Sequence, residues 1–205
     1  MGLFLGLAGI IGVHEETVVD VLANFAQTKK GICRKEVRST EDDDTLVVAA
    51  NTGNVSVLFP SNFMEWTEAS KDLSGVLKKC VFSFHIHDGD LWMYDLFQNG
   101  ERIDGFNPLP DYWDEDISAE ERESYKGNVE ILCQCVPGLQ RANVERYLVN
   151  WDLDDDAPAK AYPDDKSPPS DWQMVDFMKK LGLCYPLDDK GQLLGTTYLF
   201  KTSDS

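Results

Sequence analysis

The stretch FSFHIHDGDLWMYDLF at residues 82–97 constrains this chain more tightly than any other. Apolar and polar residues alternate along it, the period of a strand whose two faces meet different surroundings. Asp88-Gly89 interrupts the alternation and Asn99-Gly100 follows it. Both are hairpin signals, because Asn or Asp followed by Gly accepts the positive φ that a two-residue type I′ turn requires. Residues 81–106 are therefore expected to form a three-stranded meander. With Asp88-Gly89 as a two-residue loop, His87 faces Asp90, Ile86 faces Leu91, His85 faces Trp92, Phe84 faces Met93 and Phe82 faces Asp95. The Asn99-Gly100 turn sets Leu96 opposite Ile103, Asp95 opposite Asp104 and Met93 opposite Phe106. This register puts Phe82, Phe84, Ile86, Leu91, Met93 and Phe106 on an apolar inner face. The reverse face collects His85, His87, Asp90, Trp92, Tyr94, Leu96 and Ile103, an aromatic surface with polar groups at one end.

Upstream, an apolar run at 3–13 carries Gly6, Gly9 and Gly12 and reads as a strand. A helix follows over 14–31, with Glu15 and Glu16 in its first turn, Lys29 and Lys30 in its last, and Gly31 as its stop. The spacing G-x-x-G-x-x-G lacks the G-x-G of a dinucleotide loop, and two carboxylates stand where a phosphate would sit, so no nucleotide site is expected. ICRKEV (32–37) predicts a strand, TEDDD (40–44) a turn, and 45–59 two strands around Asn51–Asn54. Phe63, Trp66, Ala69, Leu73, Val76 and Leu77 then recur on one helical face. That order corresponds to a ferredoxin-like βαββαβ layout extended by the meander. Beyond 107, helical signals begin at Ser118, Asn128, Ala142 and Ser170, an acidic Pro-rich loop spans 152–171, and QLLGTTYLF predicts a last strand. The expected fold class is α+β: an antiparallel sheet of about five to seven strands, helices packed on one face, and a mainly helical C-terminal half. The expected organisation is one domain over 1–205, with a sheet-bearing core at 1–107, a helical extension at 108–185, and a terminal strand and tail at 186–205.

Nineteen basic residues against 36 acidic ones leave a formal net charge of −17. That sign repels phosphate backbones and anionic lipid and favours a basic protein partner, so neither nucleic acid nor membrane is an expected target. The N-terminal apolar run has no Lys or Arg before it and is too short to span a bilayer. Five cysteines, an odd number spread over a chain of this size, suggest reduced thiols in a cytoplasmic setting, with Cys133 and Cys135 buried or half-buried.

Chemistry centres on the histidines. His85, His87 and Asp90 share one face in the expected register, and two imidazoles with a carboxylate make a legitimate ligand set for zinc or non-haem iron. HIHDGD nevertheless lacks the last histidine of the metallohydrolase HxHxDH pattern, and no cofactor is expected on the main reading. Asp95 opposite Asp104 would repel unless the register differs by one residue or Arg102 intervenes. Asp152, Asp154, Asp155 and Asp156 open like a calcium loop, but Ala157 replaces its glycine and Pro163 its bidentate glutamate. No nucleophile elbow or phosphate loop is present.

The segments VFSFHIHDGDLWMYDLFQNGERIDGFNPLPDYW and AYPDDKSPPSDWQMVDFMKKLGLCYP resemble parts of an uncharacterised bacterial protein family. No activity attaches to that family, so the resemblance implies no functional residues. The expected function is an acidic binding protein, more binding module than enzyme, gripping a basic partner through Trp92 and Tyr94 or through Trp113. Immunity proteins that neutralise cationic nucleases use the same charge steering and aromatic anchors.

Overall fold

A computed structural model describes residues 2–39, 42–114, 116–152 and 158–203. Its centre is one antiparallel sheet of eight strands, more than the five to seven expected. The strands are β1 (Leu5–Ile10), β2 (Ile32–Lys35), β3 (Thr45–Asn51), β4 (Asn54–Leu58), β5 (Cys80–His87), β6 (Leu91–Gln98), β7 (Glu101–Phe106) and β8 (Thr196–Lys201). Their spatial order is β2-β8-β3-β4-β1-β5-β6-β7. Helix α1 (Glu15–Thr28) follows β1 and α2 (Trp66–Leu77) precedes β5, as the periodicity predicts. The last strand, β8, is inserted between β2 and β3, so the end of the chain completes a sheet begun near its start.

Both faces of this sheet are covered, not one. Val18, Leu22 and Phe25 of α1 and Trp66, Ala69 and Leu73 of α2 bury one face against Ile10, Val48, Val57 and Phe200. On the other face Leu132, Tyr147, Met174 and Phe177 cover Leu7, Phe82, Phe84, Trp92 and Phe106. The polar positions of β5 hide the covering by α2 from a reading of alternation. Ser83 is buried and donates its hydroxyl to Thr67 Oγ1 of α2 at 3.3 Å, and His85 lies against Trp66. The glycines of β1 have a packing role as well. A Cβ at Gly6 would lie 2.4 Å from the Trp66 ring, and one at Gly9 would lie 2.4 Å from Leu183 on the opposite face.

The meander exists, but its register differs by one residue. His87 pairs with Leu91, so Asp88, Gly89 and Asp90 all belong to the loop. Asp88 (φ 54°) and Gly89 (φ 74°) adopt the left-handed conformation expected of them, and Asp90 N–H donates to His87 O at 2.9 Å. The extra residue moves every β6 side chain to the other face. Trp92 and Tyr94 therefore turn inward beside Phe84 and Ile86, while Met93 takes their place opposite His85. A second irregularity, between Leu96 and Phe97, sets Asp95 opposite Gly105 and Asp104 opposite Leu96. The expected carboxylate clash is thereby resolved. Asp95 accepts from Arg102 Nε at 2.5 Å, and Asp104 accepts from Tyr94 Oη at 2.8 Å and Asn128 N–H at 3.1 Å.

The C-terminal half is not mainly helical. It contains α3 (Ala119–Ser124), α4 (Val129–Cys135), α5 (Gln173–Lys180) and two single 3-10 turns, Arg141–Asn143 and Glu145–Tyr147. Ser118 caps α3 as its position predicts, and Asn128 caps α4. Pro137-Gly138 and the prolines between 158 and 169 stop propagation between these short pieces. Met174, Phe177 and Met178 form the buried side of α5, whereas Trp172 precedes the helix and is exposed.

Residues 158–171 are no simple solvated loop, because two buried carboxylates fasten them. Asp165 accepts from Tyr147 Oη at 2.5 Å and Tyr162 N–H at 2.8 Å. Asp176 accepts from the N–H groups of Lys166 and Ser167, each at 2.8 Å. Buried carboxylates persist where several donors satisfy them. The aspartates at 154–156 lie outside the described residues.

The cysteines also depart from expectation. Cys80, at the start of β5, forms a disulfide with Cys135, at the end of α4, with Cα atoms 5.8 Å apart. Cys33, Cys133 and Cys184 are free and half-buried. A separation of 55 residues conceals this proximity from sequence spacing. No helix among the described residues is long and apolar enough to cross a membrane.

Candidate functional site

The site lies where β5 ends. His85 and His87 project from the same face of this strand, alternating with the inward Phe84 and Ile86. His85 is the deeper of the two, its ring centroid 5.0 Å from that of Trp66 and 5.4 Å from that of His87. Burial lowers its pKa to about 4, and the charge of His87 adds to the effect. Its Nε2 is buried with no hydrogen-bond partner among the described residues. His85 is therefore a neutral packing group at physiological pH.

His87 sits at the rim and gathers aromatic rings around it. Phe4 and Trp113 each approach with ring centroids 4.9 Å away, and Tyr112 lies at 5.9 Å, all nearly edge-on. Two local devices bring these rings in. Gly89 N–H donates to Leu3 O at 2.9 Å, which ties the segment before β1 to the hairpin turn. After β7, Asn107 Oδ1 accepts from Leu109 N–H at 2.9 Å, and Tyr112 N–H donates to Leu109 O at 3.0 Å, folding NPLPDYW into a compact turn. Arg122 Nη1 donates to Asp111 at 3.0 Å and braces that turn from α3.

Three large rings remain exposed on this cluster: Phe4 at 41%, Tyr112 at 40% and Trp113 at 54%. Carboxylates rim them. Tyr112 Oη donates to Asp90 Oδ2 at 2.6 Å, and that bond, together with the charges of Asp90 and Asp88, raises the tyrosine pKa. The Asp171 carboxyl is raised by burial, with the charge of Asp90 adding to it. Exposed ring faces beside uncompensated carboxylates favour Lys or Arg side chains, which combine a cation with an apolar stem.

Of the residues singled out from sequence, His85, His87 and Trp113 come together here, and Asp90 joins them through Tyr112. Trp92 and Tyr94 do not. Trp92 is wholly buried and donates Nε1 to Gln173 Oε1 at 3.3 Å, and Tyr94 stacks on Phe177 with ring centroids 5.6 Å apart. The His85–His87–Asp90 ligand set is not assembled either. Among the described residues no group of three or more His, Cys, Asp or Glu side chains is placed to hold a metal ion. The register explains this, since Asp90 enters the loop and its carboxylate turns to Tyr112. Sequence reasoning missed Phe4 and Tyr112. Tyr112 had a signal, adjacent aromatics in a Pro-rich turn, whereas Phe4 stands in an apolar run that marks nothing.

Comparison with known proteins adds no relative. No family model, curated protein or solved structure matches this chain.

Proposed function

We propose that this chain is a binding protein that grips a basic protein partner through the cluster of Phe4, His87, Tyr112 and Trp113. One observation carries the reading: three large aromatic side chains stand exposed around one imidazole, with Asp88 and Asp90 at their edge, on a chain of net charge −17. Trp and Tyr are the residue types that anchor interfaces, and surrounding charge of one sign steers an oppositely charged partner to them. The Gly89–Leu3 hydrogen bond and the Arg122–Asp111 pair hold the segments that carry Phe4 and Tyr112, so the rings are positioned before a partner arrives and little ordering entropy is lost on binding. The same combination of acidic surface and aromatic anchors suits a protein that neutralises a cationic enzyme, as immunity proteins do.

The test is calorimetric titration against a panel of purified basic proteins at low and high ionic strength. The expected result is binding that weakens with salt and loses about 2 kcal/mol in Trp113→Ala, the scale of an interface hot spot. Val76→Ala, at a position 59% exposed on α2, should leave affinity unchanged. Binding indifferent both to salt and to Trp113→Ala would contradict the proposal.

A further inference from the structure

The two edges of the sheet are finished differently. β7 is covered: Asn107 N–H donates to Tyr125 O and Gly127 N–H to Gly105 O, each at 2.9 Å, and Phe106 bridges Lys126. β2, at the other edge, is open. Glu36 N–H donates inward to Thr197 O at 3.2 Å. Ladder alternation then turns the backbone groups of Ile32 and Arg34 toward β8 and those of Cys33, Lys35 and Val37 outward. Among the described residues no backbone partner meets those outward groups.

Charge separates along the same strip. Lys29, Lys30, Arg34, Lys35 and Arg38 against Glu36 alone give residues 29–38 a net charge of +4, so the rest of the chain carries −21 of the total −17. Lys29 is engaged by Glu65 and Glu68, and Arg38 by Glu36 and Asp42. Lys30 and Lys35 make no ion pair among the described residues, and the Arg34 side chain is 62% exposed although it touches Glu36. Val37 is fully exposed and Ile32 is 39% exposed, so the strip also offers apolar contact.

We propose that the β2 edge is a second binding site, which takes an extended acidic peptide segment as a ninth strand of the sheet. The outward N–H and C=O groups of Cys33, Lys35 and Val37 supply its main-chain hydrogen bonds, the mode by which exposed sheet edges recognise peptides. Arg34 selects acidic side chains on one face of the added strand, Val37 packs on apolar side chains of the other, and Lys30 and Lys35 add attraction for the acidic residues. A second copy of this chain is a poor occupant, because it would lay the same cations opposite these, and like charges across a ladder destabilise it. The lysines thus guard the edge against self-pairing and admit an acidic strand. A nucleic acid would match the charge but leave the alternating backbone donors and acceptors unused. This site is independent of the aromatic cluster, since four strands separate β2 from β5.

The experiment is fluorescence anisotropy with a labelled peptide of about eight residues, a common strand length, alternating Glu and Val. A peptide of the same composition interrupted by proline and a single-stranded oligonucleotide serve as competitors. Arg34→Glu combined with Lys35→Glu should weaken binding at least ~10-fold, and Val37→Pro, which removes one outward N–H and no charge, about fivefold. Trp113→Ala should leave it unchanged. In the wild-type complex, amide exchange at Cys33, Lys35 and Val37 should slow. Failure of the peptide to bind would overturn the proposal, as would equal binding of the proline-interrupted peptide, tighter binding of the oligonucleotide, or indifference to Val37→Pro in a variant whose β8 amides stay protected.

Discussion

Trp92→Ala will cost about 4 kcal/mol of folding stability, whereas Trp113→Ala will cost no more than ~0.5 kcal/mol. The two indoles lie near one another in sequence reasoning, since both were candidates for a partner-gripping surface, yet they belong to different parts of the molecule. Trp92 is completely buried, with Phe106 and Phe177 ring centroids at 5.1 and 5.2 Å and its N–H spent on Gln173. Truncation removes the ring contacts, leaves a cavity between β6 and α5, and orphans the amide of Gln173. Trp113 is 54% exposed and its neighbours are rings that solvent already reaches. Urea denaturation of both variants measures the difference. Equal destabilisation would mean that the β5–β6 register is wrong.

Reduction of the Cys80–Cys135 bond is the second large effect. The bond closes a separation of 55 residues, which in the chain-entropy description corresponds to about 4 kcal/mol of stability. It fastens the end of α4 to the first residue of β5, in the cluster that also holds Phe82, Phe84 and Leu132. Denaturation with and without a thiol reductant should show the full loss, and Cys135→Ser should reproduce it without reductant. The three other cysteines should react with an alkylating reagent in the oxidised protein once it is unfolded, and five should react after reduction. An unchanged midpoint in reductant would contradict a structural role for the bond.

What the sequence disclosed follows from range. Period-two alternation and the Asp-Gly and Asn-Gly turns are local signals, and they located β5, β6 and β7 correctly. Loop length was not legible, because Asp88-Gly89 adopts the same left-handed pair of conformations whether Asp90 belongs to the strand or to the turn. That single residue exchanged the roles of Trp92 and Met93 and placed Asp90 in the loop. The helix cap at Ser118 was legible for the same local reason. The covering of the second face was not, because it depends on Tyr147, Met174 and Phe177 arriving from distant segments. Nor was the anchoring of 158–171, since an aspartate that will be buried under several N–H donors looks in sequence like any acidic loop residue. The pairing of His85 with His87 could be read from spacing alone. The arrival of Phe4 and Tyr112 could not, because it rests on Gly89 meeting Leu3 and on the fold of the turn after β7.

Hydroxyl-radical footprinting with residue-level mass spectrometry asks the central question most directly: which aromatic rings of this region meet water. Tyr112 and Trp113 should oxidise rapidly in the free protein and become protected when a basic partner binds, while Trp92 and Tyr94 stay unreactive in both states. Oxidation of Trp92 at the rate of Trp113 would place the wrong rings at the surface and remove the basis for the proposed interface.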